Sequence, residues 1–290
     1  MRLRAKFNLA VVAAFLVGFA AAGALLQELF IADARGQVLQ NARIMMSAAN
    51  AVRSYTDKLI APVTPPQLNG RFLAVTVPSF AAQTTFKAVQ KSFADYSYRE
   101  PTLNPTNPAD RPADWEADLI NDFRNHPSET EIVGERDTPT GPSLSLARPI
   151  AVHDAQCLEC HSEPARAPAA MVQTYGSANG FGWHLNDIVG AQVVSVPMAV
   201  AMADARSAFI AFMAVLGGMF VLVLVILNVL LHFTVIRPAV RLARIANAVS
   251  LGETNVEEYE RKGSDEIAIL AAAFNRMRRS LDSAMRLLER

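Results

Sequence analysis

Two long runs without a charged residue frame the chain. Phe7–Gln27 is uncharged, with apolar side chains continuing to Ile31, and Ser207–Ile236 is uncharged with an almost purely aliphatic stretch at Val221–Leu231. Each is long enough to cross a bilayer as a helix. Between them the pattern is mixed. Ala34–Ile60 predicts a helix, with Arg43, Met46, Asn50, Arg53 and Asp57 along one face and Leu39, Ala42, Met45, Ala49 and Val52 as an apolar stripe. It is expected to end before Pro62, with Pro65-Pro66 as a break. Pro78–Tyr98 carries a second amphipathic stretch through Phe80, Phe86, Val89 and Phe93. Pro101–Pro112 reads as a loop, and Asp114 as the cap of a short helix from Trp115 to about Arg124. Three strands are then expected at Glu131–Arg136, Ser143–Ile150 and Gly190–Met198, the last rich in β-branched valines. Helices followed by short antiparallel strands point to an α+β domain with a single sheet.

Charge fixes an expected topology. Arg2, Arg4 and Lys6 precede the first span, and Arg237, Arg241 and Arg244 follow the second. By the positive-inside rule both termini are cytoplasmic and residues from about 33 to 206 lie outside. Ala20-Ala21-Ala22 offers a rival reading of the first span as a cleaved signal peptide; its length favours an uncleaved anchor. The expected divisions are a basic N-terminus (1–6), a first membrane helix (7–31), an exported domain (32–206), a second membrane helix (207–236) and a cytoplasmic tail (237–290). The 290 residues have no formal net charge, so nothing in the balance argues for nucleic acid.

The only two cysteines stand in Cys157-Leu158-Glu159-Cys160-His161. C-x-x-C-H is the attachment signature of a c-type haem: two thiols on one turn reach the vinyl groups on one edge of a porphyrin, and the adjacent histidine supplies an axial nitrogen. Two readings compete. A redox disulfide lacks the strand–helix context of that motif, and a zinc site would need His153 beside His161 in a crowded set. One covalently bound haem c is the favoured reading. The motif lies in the exported segment, where an oxidising compartment explains the absence of stray cysteines.

Several short motifs carry a resemblance. They are Val77–Ala82, Tyr98-Arg99-Glu100, Leu103–Pro108, Val133–Asp137, Leu146–Ile150, Cys157–His161 and Gly180–Trp183 before Gly190. Over about residues 35–200 the chain resembles a family of exported single-haem c-type proteins with a PAS-like sensory fold, many of them membrane-tethered. The resemblance implies a PAS-like sheet holding one haem near the C-x-x-C-H loop.

His161 then takes one face of the iron. A third cysteine does not exist for the other face, and His153 is too near in sequence to cross to it; His126 and His184 are within reach. Met46 is the preferred distal ligand because it shares a helix face with Arg53, with Met45 as the alternate; ordinary core packing is the competing role for both. Arg53, Arg99 and Arg148 are candidates to pair with haem propionates, since guanidinium binds carboxylates bidentately. Trp183 and Phe181 are candidates to wall the haem.

In the tail, Val235, Pro238, Leu242, Ile245 and Val249 are spaced 3, 4, 3, 4, and Ile267, Leu270, Phe274, Met277, Leu281, Ala284 and Leu288 keep that rhythm. With the polar connector Gly252–Ser264, Asp265-Glu266-Ile267 and Ala273–Met277, the tail resembles a HAMP module, the linker of transmembrane receptors. That resemblance implies a parallel four-helix bundle from two chains, hence a homodimer. No P-loop, Ser-His-Asp set or paired carboxylates appear, so no enzyme is expected, and output is expected to pass to a separate cytoplasmic signalling protein. The expected function is a haem-based redox or gas sensor in a bacterial inner membrane. An anchored electron-transfer cytochrome is the alternative.

Overall fold

The computed structural model describes residues 3–64, 67–68, 71–253, 257–261 and 263–288. Pro65-Pro66, Arg290, part of the 252–264 connector and the side chain of Leu288 therefore lie outside the described residues. The chain divides into two compact units, Ala24–Ile210 and Met1–Gly23 with Ala211–Arg290.

Helix α1 runs without interruption from Leu3 to Tyr55 and closes in a π-helical turn, Thr56–Ile60. The sequence reading divided it between Ile31 and Ala34. Nothing there breaks a helix, and Gly36 costs only about 1 kcal/mol relative to alanine. The buried face also differs from the expected one. Val38, Ala42, Met46 and Ala49 are inside, whereas Leu39, Met45 and Val52 are only partly covered.

The first unit is built on a four-stranded antiparallel sheet, ordered β3-β6-β5-β4. Its strands are β3 (Ser97–Arg99), β4 (Ile132–Thr138), β5 (Gly141–Ala151) and β6 (Ile188–Pro197). A two-residue hairpin, β1 (Gln67–Leu68) with β2 (Arg71–Phe72), forms a second small sheet that the sequence reading did not anticipate. Alternation along the strands separates two faces. Leu144, Leu146, Val194, Val196 and Tyr98 meet α1 and α2 (Pro78–Gln90) on one face. On the other, Ala147, Ala191 and Val193 meet Ile120 and Phe123 of α3 (Asp114–Asn125). Both α3 side chains are fully buried, which contributes roughly 1.5–3 kcal/mol each. Tyr98, expected at the end of a helix, is instead the central residue of β3. Asp114 is the first helical residue rather than the cap; Ala113 is the cap, and the Glu116 carboxylate accepts its N–H at 2.8 Å.

Between β5 and β6 lie α4 (Cys157–His161) and α5 (Ala169–Tyr175). After β6 only Met198 precedes α6 (Ala199–Leu231), which begins earlier than the expected span. In the second unit α6 continues through a π-helical turn, His232–Ile236, into α7 (Arg237–Ser250), and α8 (Glu266–Leu288) follows the connector. Among the described residues two helices are long and apolar enough to cross a membrane, Arg4–Val63 and Ala199–Ser250. Asn8 and Asn228 exchange side-chain amide hydrogen bonds, each 3.0 Å, between these helices. Polar pairs of this kind join helices where water is absent.

In the tail, Leu242, Tyr259 and Ala271 pack together with Ile245 and Phe274 at their edge. Asp265 opens α8 by accepting the N–H of Ala268 at 2.7 Å. Leu270, Met277 and Leu281 are all about half exposed or more. The pairing of α7 with α8 therefore uses Leu242, Ile245 and Phe274 of the expected seam together with Ala271, which lay outside it, and leaves Leu270, Met277 and Leu281 uncovered within one chain.

Candidate haem site

Cys157, Cys160 and His161 share the single turn α4. Asp154 organises its start by accepting the Gln156 N–H at 2.9 Å. Both thiols are free. Burial raises the pKa of each, and the charges of Asp154 at Cys157 and Glu159 at Cys160 add to it. Both therefore rest as protonated thiols. Among the described residues, no three His, Cys, Asp or Glu side chains converge as a metal-ion site, which gives the zinc reading no support.

His161 is fixed on three sides. Its Nδ1 donates to the Gly180 carbonyl at 2.7 Å, and Thr106 Oγ1 stands 3.5 Å from the same nitrogen. Its ring stacks on Trp183 at 4.0 Å between centroids and 11° between planes. A proton on Nδ1 leaves the lone pair on Nε2, the tautomer a metal ligand needs. Burial lowers the imidazole pKa, and the Gly180 carbonyl opposes this more weakly. The ring is thus held neutral.

The surrounding loops are clasped together. Trp183 N–H donates to His161 O and Gly182 N–H to Ser162 O, at 3.2 and 2.9 Å. Asn104 accepts the Gly180 N–H and donates to Phe181 O, both at 3.2 Å. Gly180 has φ +84°, and a Cβ there would collide with the backbone and side chain of Thr106. Only glycine meets both demands. Asn104, Thr106 and Gly180 were not singled out individually as site residues. Their signal was the pair of short motifs Leu103–Pro108 and Gly180–Trp183.

The three candidate arginines part company. Arg53, in the last turn of α1, has the Cys157 side chain in its surroundings. It forms an ion pair with Glu100, whose side chain is 2% exposed. Burial would lower the Arg53 pKa, but the Glu100 charge and hydrogen bond outweigh it. Tyr98 donates to Glu100 at 2.6 Å, and Gln192 donates to both Tyr98 and Asn50 at 2.8 Å, so the network ties α1 to the sheet. Arg99 projects from the other face of the sheet and donates from one nitrogen, Nη1, to both oxygens of Glu116 at 3.0 and 2.8 Å. Arg148 shares Glu131 with Arg43, at 2.8 and 2.9 Å. Partial burial would raise the Glu131 carboxyl, but the two arginines hold it below its ordinary range. Arg99 and Arg148 are thus structural partners of carboxylates, as Arg53 is of Glu100.

Met46 and Met45 take their places in the packing of α1. It is fully buried among the side chains between α1 and the sheet, while Met45 is partly covered beside it. A ligating thioether would have to leave that packing. Met46→Ala should therefore cost about 2–5 kcal/mol of stability in chemical denaturation. An added change in the visible spectrum of the haem-loaded protein would restore methionine as the distal ligand.

Comparison with known proteins now has a geometry to meet. The sequence profile described as Tll0287-like, Tll0287, matches residues 31–197. The chain belongs to the Tll0287-like family. A HAMP domain profile matches residues 230–283, so a Tll0287-like domain is joined to a signal-transduction module. Among solved structures, the crystal structure of the cyanobacterial haem-protein Tll0287 matches with a TM-score of 0.44 and 19% identity, covering 56% of this chain and 95% of that one. No curated protein matches.

Proposed function

We propose that the Tll0287-like domain carries one haem c, bound covalently by Cys157 and Cys160 with Nε2 of His161 on the iron, and serves as the input of a transmembrane sensor. The observation that carries this reading is the Gly180 carbonyl on His161 Nδ1, which leaves the other ring nitrogen as a donor one residue after Cys160. Bound haem would supply a redox-active iron with an open or weakly held sixth position. Arg53 is the propionate partner in this reading, and Trp183 orients the imidazole by stacking rather than walling the porphyrin. The fold of the domain is read as PAS-like.

Signal relay is supported by continuity. β6 is separated from α6 by one residue, and α6 leads through a π-helical turn into α7. The input is a redox change or a diatomic gas, and the output is a separate cytoplasmic protein. The exposed Leu270, Met277 and Leu281 are read as the half of a four-helix HAMP core that a second chain completes. In membranes, Met277→Cys should give disulfide-linked dimers whose yield changes with haem redox or CO state. Identical yields in every state would favour an anchored electron carrier, and no dimer at all would remove the bundle.

The proposed site of action is a bacterial inner membrane, with the haem domain outside and both termini cytoplasmic. A reporter active only outside the cytoplasm should work when inserted at Asn107 and fail when fused at Arg290. The opposite pattern would invert the topology.

A further inference from the structure

Helix α3 covers only part of its face of the sheet. Its apolar residues sit over Ala147, Ala191 and Val193. Beyond it the same face is floored by hydroxyl side chains and forms a basin of about 320 Å³ that shares no residue with the Cys157–His161 motif. That volume lies at the lower end of small-molecule sites.

The donors around this basin are unequal in a way that suggests a ligand. Arg99 is spent: besides Glu116 it donates to the carbonyl of Arg111 at 3.0 Å. Arg136 is not. The centre of its guanidinium sits over the Trp115 ring, 3.6 Å from the centroid, and among the described residues it meets no carboxylate within ion-pair distance. Contact with the ring face holds the group in place while no protein carboxylate takes its N–H donors, which suits arginine to pair with a carboxylate from outside. Ser97 and Ser195, cross-strand neighbours on β3 and β6, line the same basin, and their hydroxyls are engaged by no hydrogen bond among the described residues. Glu116 is neutralised by Arg99, and Asp95 stands exposed at the rim, where water screens it. The uncommitted groups over the floor are thus donors.

We infer that this basin is a second ligand site, independent of haem, which takes a small organic carboxylate, with Arg136 pairing its charged end and Ser97 and Ser195 donating to its oxygens. Pro197 is part of the lining and stands two residues before α6. An occupant therefore touches the end of β6 that leads to the membrane helix, so a soluble metabolite and the haem would feed one output.

Titration calorimetry on the full chain in detergent micelles tests this, with succinate, L-glutamate and benzoate as probes and benzamide as the uncharged control. At least one carboxylate should bind with a Kd near or below about 1 mM, and benzamide should not bind. Arg136→Gln should weaken that binding at least about tenfold, as expected for loss of a charge-assisted pair, with the circular dichroism unchanged. Ser195→Ala should weaken it to a smaller extent. Failure of all three probes, equal binding of benzamide, or undiminished affinity in both variants would overturn the site.

Discussion

Cys157→Ala and Cys160→Ala should each leave haem joined through one thioether at most, and the double variant should retain none after denaturation and acid–acetone extraction. Thioether formation adds a thiol S–H across a vinyl double bond, making one C–S and one C–H bond. Each cysteine removed therefore leaves one vinyl group in conjugation with the porphyrin, and the reduced spectrum of a single variant should move to longer wavelength. The two thiols lie on one helical turn, and neither has formed a disulfide. The prediction concerns attachment rather than folding. α4 is a five-residue turn outside both apolar cores, so the variants should keep the secondary structure of the parent. A wild-type chain that releases all of its haem on extraction would remove the c-type assignment, whatever its colour beforehand.

Arg53→Ala should be the most damaging single change in the Tll0287-like domain outside its apolar core. It strands the Glu100 carboxylate, whose side chain is 2% exposed and whose other recorded partner is the Tyr98 hydroxyl. Removing one member of a buried ion pair costs about 3–5 kcal/mol, mostly as the penalty of an uncompensated charge. Arg53→Met with Glu100→Gln should recover most of that loss, because no charge is then left buried and the amide still accepts from Tyr98. Urea denaturation of the parent, Arg53→Met, Glu100→Gln and the double variant makes a double-mutant cycle. A single-variant cost below about 1 kcal/mol, the level of an exposed ion pair, would mean that water reaches Glu100 in solution. If Arg53 also pairs with a propionate, the single variant should shift the reduction potential as well.

How much of this was legible in the sequence depends on where each partner lies. Strands β4, β5 and β6 were read within a few residues because alternation and β-branching are local signals, as in Val193, Val194 and Val196, whereas the three-residue β3 is too short to show either and was read as the end of a helix. The cysteine turn was read because its spacing is its chemistry. The buried face of α1 was misjudged because Met45 and Met46 are one residue apart. Close approach to the sheet is set by Ala42 and Ala49, whose smallness gives no strong periodic signal. The carboxylate partners of the arginines were not legible for a different reason. Guanidinium shows no preference between a propionate and a protein carboxylate, and Glu116 and Glu131 lie 17 residues from Arg99 and Arg148 respectively. Their pairing is decided by strand register and by which face of the sheet each residue occupies, and neither is written locally. Trp183 was marked as an aromatic of the site, but its contact with His161 depends on a loop closed from Asn104.

The acceptor on His161 is a peptide carbonyl, and it sits at a glycine that tolerates no side chain. A side-chain acceptor at that point would be open to substitution, and an aspartate there would push the imidazole toward imidazolate and make the iron harder to reduce. A main-chain oxygen offers neither route. A substitution can alter the stacking partner or the Thr106 hydroxyl, but with His161 as the proposed iron ligand the acceptor that would set its donor strength belongs to the backbone and stays with the loop itself.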